Sequence, residues 1–299
     1  MAYRGRRRKN KTPIYKKPVF WAAAIVMALI LVLVIWVVMI LSSDTPLIRR
    51  PDPTTEPTSG TRPPEETEET LPPPPENPYE PIDFDADEET GEITLTSGNA
   101  IKGIDVSEWQ GDIDWKQVKD SGVEFVIIRV GGRGTETGGL YGDDRAQDSY
   151  EGATEVGLKG GAYIFAPSIT GDEAIEEAEF VLDAVKDWDV QMPLVYDWEY
   201  VDEVARTSDM DSRTLTDMAK AFCDTIEDAG HTPMIDFGRS QSTDLLNLEE
   251  LVEYPFWLAM YSTIMDYPYK IDMWQYTDEG TVPGIAGNVD MNLLFTYDE

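Results

Sequence analysis

Residues 19–41 read VFWAAAIVMALILVLVIWVVMIL, an unbroken run of 23 apolar residues. As a helix rising ~1.5 Å per residue it reaches about 34 Å, enough to cross a hydrocarbon layer of ~30 Å. A core helix of a globular domain would keep one polar face, and this run has none. A cleaved signal peptide has a shorter apolar region and a small-x-small site, whereas Leu41-Ser42-Ser43-Asp44 follows here. The expectation is a retained single-pass anchor. Eight bases (Arg4, Arg6, Arg7, Arg8, Lys9, Lys11, Lys16, Lys17) precede it without an acid. That bias places the basic tail, residues 1–18, in the cytoplasm and the remainder outside the cell membrane.

The remainder is strongly acidic. Beyond residue 17 the chain holds 16 bases against 57 acids. Nucleic acid is therefore not an expected partner, because phosphates need a basic face. His231 and Cys223 are the only histidine and cysteine. A Cys/His zinc site is nearly excluded, and an intramolecular disulfide is impossible. A Ser-His-Asp or Cys-His system has only His231 to draw on. No phosphate-cradling glycine loop occurs. No metal or cofactor is expected. Carboxylates and aromatics remain as the abundant chemistry.

Residues 42–100 hold 12 of the 20 prolines and are rich in Thr and Glu. Composition assigns them to a disordered linker, since sparse apolar residues cannot offset ordering entropy. Residues 101–299 change character. Strand-like runs at Ile101–Val106, Phe125–Val130, Gly161–Ala166, Pro193–Glu199, Pro233–Phe237, Phe256–Tyr261, Ile271–Tyr276 and Asn288–Leu294 alternate with helical patterns that thin out toward the end. One helix opens with the capping box Thr170-x-x-Glu173 and another closes at Gly230. The reading is an α/β domain: a parallel sheet, either a barrel or an open sheet, with some helices missing.

In such folds, reactive groups sit at the carboxyl ends of strands. Asp105, Asp197, Glu199 and Asp290 meet that criterion, and Asp197 and Glu199 share a face two residues apart. Crowded carboxyls cannot all ionise cheaply, so at least one keeps its proton near neutral pH. A protonated acid beside a carboxylate is what glycosidic cleavage requires. Aromatics near the strand ends (Trp109, Tyr163, Trp198, Tyr200, Tyr261, Trp274, Tyr276) can line a sugar groove; Tyr163, Tyr261 and Trp274 are the expected substrate contacts.

The segments GIDVSEWQGDIDW (103–115), FVIIRVGGRG (125–134), GLKGGAYIFA (157–166), PLVYDWEY (193–200), FWLAMY (256–261) and DMWQYTDEGTVPGIAGNVDMN (272–292) resemble glycoside hydrolase family 25, the muramidases. The resemblance implies an irregular (β/α) barrel of about five βα units followed by plain strands. It implies cleavage of the β-1,4 bond between N-acetylmuramic acid and N-acetylglucosamine in peptidoglycan. It assigns Glu199 as proton donor and Asp197 as the second carboxylate, which orients the substrate's N-acetyl group. Asp105 and Asp290 match supporting acids. Asp236 stands where the family usually carries a tyrosine. A catalytically silent wall-binding module on a membrane stalk is the alternative, and loss of one of the four acids would have favoured it. A chitin-cleaving barrel is a third reading; its longer run of spaced aspartates before the glutamate is absent.

Overall fold

The computed structural model describes residues 71–88, 90–201 and 206–297. The basic tail, the apolar run of residues 19–41 and the linker up to residue 70 lie outside the described residues. Among the described residues, no helix is long and apolar enough to cross a membrane.

A short hairpin comes first, β1 (Phe84–Ala86) with β2 (Ile93–Leu95). Five βα units follow: β3 (Asn99–Val106) with α1 (Trp115–Asp120), then β4 (Phe125–Arg133) with α2 (Ala146–Glu155), interrupted by the short β5 (Leu140–Gly142). The units continue as β6 (Lys159–Phe165) with α3 (Gly171–Val185), β7 (Leu194–Asp197) with α4 (Ser212–Asp228), and β8 (Pro233–Gly238) with α5 (Arg239–Asp244). The chain ends in β9 (Phe256–Ala259), β10 (Met273–Gly280) and β11 (Val289–Thr296), none followed by an α-helix among the described residues. The strand order β3-β11-β10-β9-β8-β7-β6-β4 closes through β3–β4 into an eight-stranded barrel. Every pair is parallel except the two made by β11.

Alternation along the strands divides inside from outside. Phe125, Ile127, Val195, Met234, Trp257 and Met273 fill the barrel interior. Space for them comes from small neighbours: a Cβ on Gly103 would lie 2.1 Å from the Phe125 ring. The helices cover the outer faces of β3 to β8, with Val181 and Val185 of α3 and Leu215, Phe222 and Ile226 of α4 fully packed. Cys223 is buried on α4, as a small apolar filler.

Strands β10 and β11 present Trp274, Tyr276, Leu293 and Phe295 outward, where no α-helix follows to cover them. Residues 75–95 take the helix's place. Phe84 meets Trp274 edge-on at 5.5 Å, and Tyr79 lies 5.4 Å from Phe295 and 6.0 Å from Tyr297. Ile93 and Leu95 are buried in the same layer. The segment is also tied by backbone hydrogen bonds: Asn77 N–H donates to Pro268 C=O (2.9 Å) and Lys270 N–H to Pro75 C=O (2.8 Å). The composition-based boundary at residue 101 therefore moves toward residue 71. Proline and glutamate dominate the window, and they hide four apolar side chains that find partners only two hundred residues later.

Uncovering a large apolar side chain costs about 2 kcal/mol, against the ~5–15 kcal/mol that holds a whole domain. A soluble fragment 71–299 is therefore expected to fold, while 101–299 should melt roughly 10 °C lower or precipitate. Thermal denaturation of the two fragments checks this, and coincident melting curves would remove residues 71–100 from the domain.

Candidate active site

The carboxyl ends of the parallel strands form the barrel mouth, and the inward-facing positions there are acids and amides. Asp105 ends β3 and is paired in register with Asp290 on the antiparallel β11. Asp197 ends β7 and is paired with Asp236 on β8. Glu199 follows two residues after Asp197 and is exposed at the mouth. Between them Trp198 turns outward, buried, and its indole N–H donates to the Ser168 carbonyl at 3.0 Å. That bond, with Gln241 donating to the Trp198 carbonyl, fixes the turn that presents Glu199. The four expected acids thus converge, and Asp236 joins them as a fifth.

Asp105 is 3% exposed, and its Oδ2 accepts from Asn292 Nδ2 at 2.8 Å and Gln275 Nε2 at 2.9 Å. Asn292 is itself held by Trp257, whose indole N–H donates to its Oδ1 at 2.9 Å. Burial raises the Asp105 carboxyl, and the two amides and Asp290 oppose that rise. Burial, then the charge and hydrogen bond of Asp105, push Asp290 up to about 9. Asp290 is thus the member of this pair that holds its proton, while the amides on Asp105 favour its charged form.

Burial also drives Asp197 well above the ordinary carboxyl range, reinforced by Glu199 and Asp236. Asp236 is raised too, chiefly by burial. Burial lifts Glu199 in the same direction. The nearby cation on the mouth side of β4, Arg129, is already held by Asp143 at 2.9 Å and Glu108 at 3.1 Å. The mouth is therefore a ring of carboxyls that must retain protons in place of counter-cations. Among the described residues, no cluster of His, Cys, Asp and Glu has an arrangement that would hold a metal ion.

The expected aromatic contacts divide. Tyr163, on β6, is half-buried beside the acids; burial and the charges of Asp105 and Asp197 keep its phenol protonated. Tyr261 stands 58% exposed just beyond β9, and Trp109 and Tyr200 are also exposed at the mouth. Trp274 is a correction. It is fully buried on the outer side of β10, against Phe84 and Tyr276, with its indole N–H donating to the Met260 carbonyl. Trp198 and Tyr276 are likewise buried. The cause is the two-residue period: on β10 it is Gln275, next to Trp274, that points inward to Asp105. Sequence reasoning missed Gln275 and Asn292, and it set Asp236 apart from the acid group as a departure from the family pattern. The signal for Asn292 was present, since Asp290-x-Asn292 puts both on one face of a strand.

Fold and site together define a closed (β/α) barrel with a carboxyl-built mouth. The profile of the family Glycosyl hydrolases family 25 matches residues 104–285. The autolytic lysozyme of Clostridium acetobutylicum is 29% identical over 196 residues, covering 64% of this chain and 55% of that protein. Lysozyme M1 of Streptomyces globisporus is 29% identical over 219 residues, covering 69% and 71%. Among solved structures, the modular autolysin LytC of Streptococcus pneumoniae in complex with a synthetic peptidoglycan ligand superposes with a TM-score of 0.59 at 25% identity, covering 71% of this chain and 52% of that one. The chain thus spans about half the length of the clostridial and pneumococcal proteins. It belongs to glycosyl hydrolases family 25.

Asn292 links the acid site to the barrel wall. Asn292→Ala leaves the Trp257 indole N–H without its acceptor and removes one donor from Asp105. A buried group left unpaired costs ~1–3 kcal/mol, so a loss of about 2–4 kcal/mol is expected. Urea denaturation measures it; a change below about 0.5 kcal/mol, the size of an ordinary surface substitution, would show the network to be incidental.

Proposed function

We propose that the chain is a peptidoglycan hydrolase that cuts the β-1,4 bond between N-acetylmuramic acid and N-acetylglucosamine. The observation that carries this reading is the pairing of Asp197 and Glu199 at the end of β7, both raised by burial. Family membership and the two lysozyme relatives support the substrate class, as does the neighbour solved with a peptidoglycan ligand.

In this reading Glu199 enters the reaction protonated. It is exposed at the mouth, where a glycan strand can reach it, and its pKa is raised, the direction a general acid needs. It donates that proton to the leaving glycosidic oxygen as the C–O bond breaks. Asp197 faces the developing positive charge and orients the substrate's 2-acetamido group, whose carbonyl oxygen attacks the anomeric carbon. Water then opens the cyclic intermediate, with Glu199, now ionised, taking the water's proton. Asp105, held by Gln275 and Asn292, supplies a fixed carboxyl behind the site, and Tyr163 a phenolic donor. Exposed Tyr261 and Trp109 offer stacking faces for sugar rings along the groove.

We also propose that residues 19–41 anchor the protein in the cell membrane, with residues 1–18 cytoplasmic and the barrel outside. The all-apolar run and the eight preceding bases support this topology. Protease treatment of wall-stripped cells should release the barrel and leave the basic tail protected; a mature protein free in the medium that begins near residue 42 would contradict it.

Glu199→Gln tests the chemistry. Gln is close in shape but has no acidic proton. General acid catalysis contributes ~10²–10⁴-fold, so wall clearing should fall by at least 10²-fold with circular dichroism and wall binding unchanged. A variant that keeps more than about a tenth of the wild-type rate would remove Glu199 from the role of acid.

A further inference from the structure

Asp236 has no role in the mechanism above, yet it is the inward-facing neighbour of Asp197 on the adjacent strand. Strands β7 and β8 pair them in register, which sets the two carboxyls side by side on the inner face of the barrel. Asp197 is 8% exposed, and Oδ1 of each residue is buried without a hydrogen-bond partner in the structure. Among the described residues, the titratable side chains facing the pair are acids and phenols, and the Phe237 backbone N–H also acts on Asp236. Glu199 follows Asp197 along the chain, Asp105 faces it from β3 and Asp290 from β11, with Tyr163 on β6 and Tyr261 beyond β9. Two arginines at the strand ends are already paired. Arg129 is bound by Asp143 and Glu108, and Arg239, which directly follows β8, is bound by Asp266.

Two adjacent carboxyls without a cation cannot both be ionised at ordinary cost. We propose that Asp236 is a positioning residue that shares one proton with Asp197 and so sets the pH range over which Asp197 acts as a carboxylate. One proton serves both carboxyls, and Asp197 is a full carboxylate only when that proton rests on Asp236 or leaves. A tyrosine or amide at 236 would instead donate to Asp197 and leave it ionised. The aspartate therefore displaces the working range of this chain to higher pH. The kinetic side of this inference rests on the proposed hydrolase reading; the titration itself does not.

The sign follows from linkage. A carboxyl whose pKa is raised by folding costs nothing at low pH, where folded and unfolded chains are both protonated. It destabilises the fold progressively as pH rises from the unfolded value toward the folded one. Asp236→Asn and Asp236→Tyr, in the full chain solubilised in detergent, are compared with wild type by melting temperature and by wall clearing between pH 4 and pH 8. The melting temperature of Asp236→Asn should gain on wild type steadily as pH rises. The rising acid limb of the rate profile should move down by at least one pH unit in both variants. A merely structural aspartate would give a pH-independent offset in melting temperature and an unmoved acid limb, and that result would overturn the proposal. If wild type clears no wall at any pH, the hydrolase reading fails, while the melting comparison still decides whether the proton is shared. Tyr at 236 serves as the second variant should Asn fail to fold.

Discussion

Five carboxyls share one barrel mouth with no free cation beside them among the described residues, and the rest of the site is an answer to that electrostatic problem. Two solutions are visible. At Asp105, side-chain amides from β10 and β11 donate to the carboxyl and oppose the rise that burial causes, with Asn292 fixed in turn by Trp257. Asp290 and Asp197 keep protons because each lies against another acid in a buried place. The result is an amide-bound carboxyl and several proton-retaining ones within a few side chains of each other. That division of roles is what acid-assisted cleavage of an acetal asks for.

The barrel supplies the geometry by plain means. Inward positions alternate along parallel strands, so residues 105, 197, 236 and 275 come to one level from strands far apart in sequence. The helices that build the outer wall end after β8. From there the closing strands depend on residues 75–95, which precede the barrel and lay Tyr79, Phe84, Ile93 and Leu95 over Trp274 and Phe295. The same chain segment leads toward the proposed membrane anchor.

Much of this was legible in the sequence. FVIIRV and PLVYDWE announce buried strands through continuous apolar runs, Thr170 and Glu173 mark a helix start, and Thr170 does accept from Glu173 N–H at 3.2 Å. The acids at strand ends were legible because strand ends are where barrels place chemistry. Three things were not. Trp274 looked like a sugar platform because a tryptophan near a strand end fits either face, and only the register with β11 tells that Gln275 is the inward one. Asp236 was set apart as a departure because its partner lies 39 residues earlier and meets it only across β7 and β8. Residues 71–100 resembled a stalk because composition averages over the window and cannot see long-range ring contacts.

The central claim is that this carboxyl ring cleaves the bond that leaves muramic acid at the new reducing end. Its most direct test is to digest purified peptidoglycan with the fragment 71–299, reduce the fragments with borohydride and determine by mass which sugar carries the reduced end. Reduced muramic acid is the predicted result. Reduced glucosamine, or intact glycan after prolonged digestion with folded protein, would contradict it.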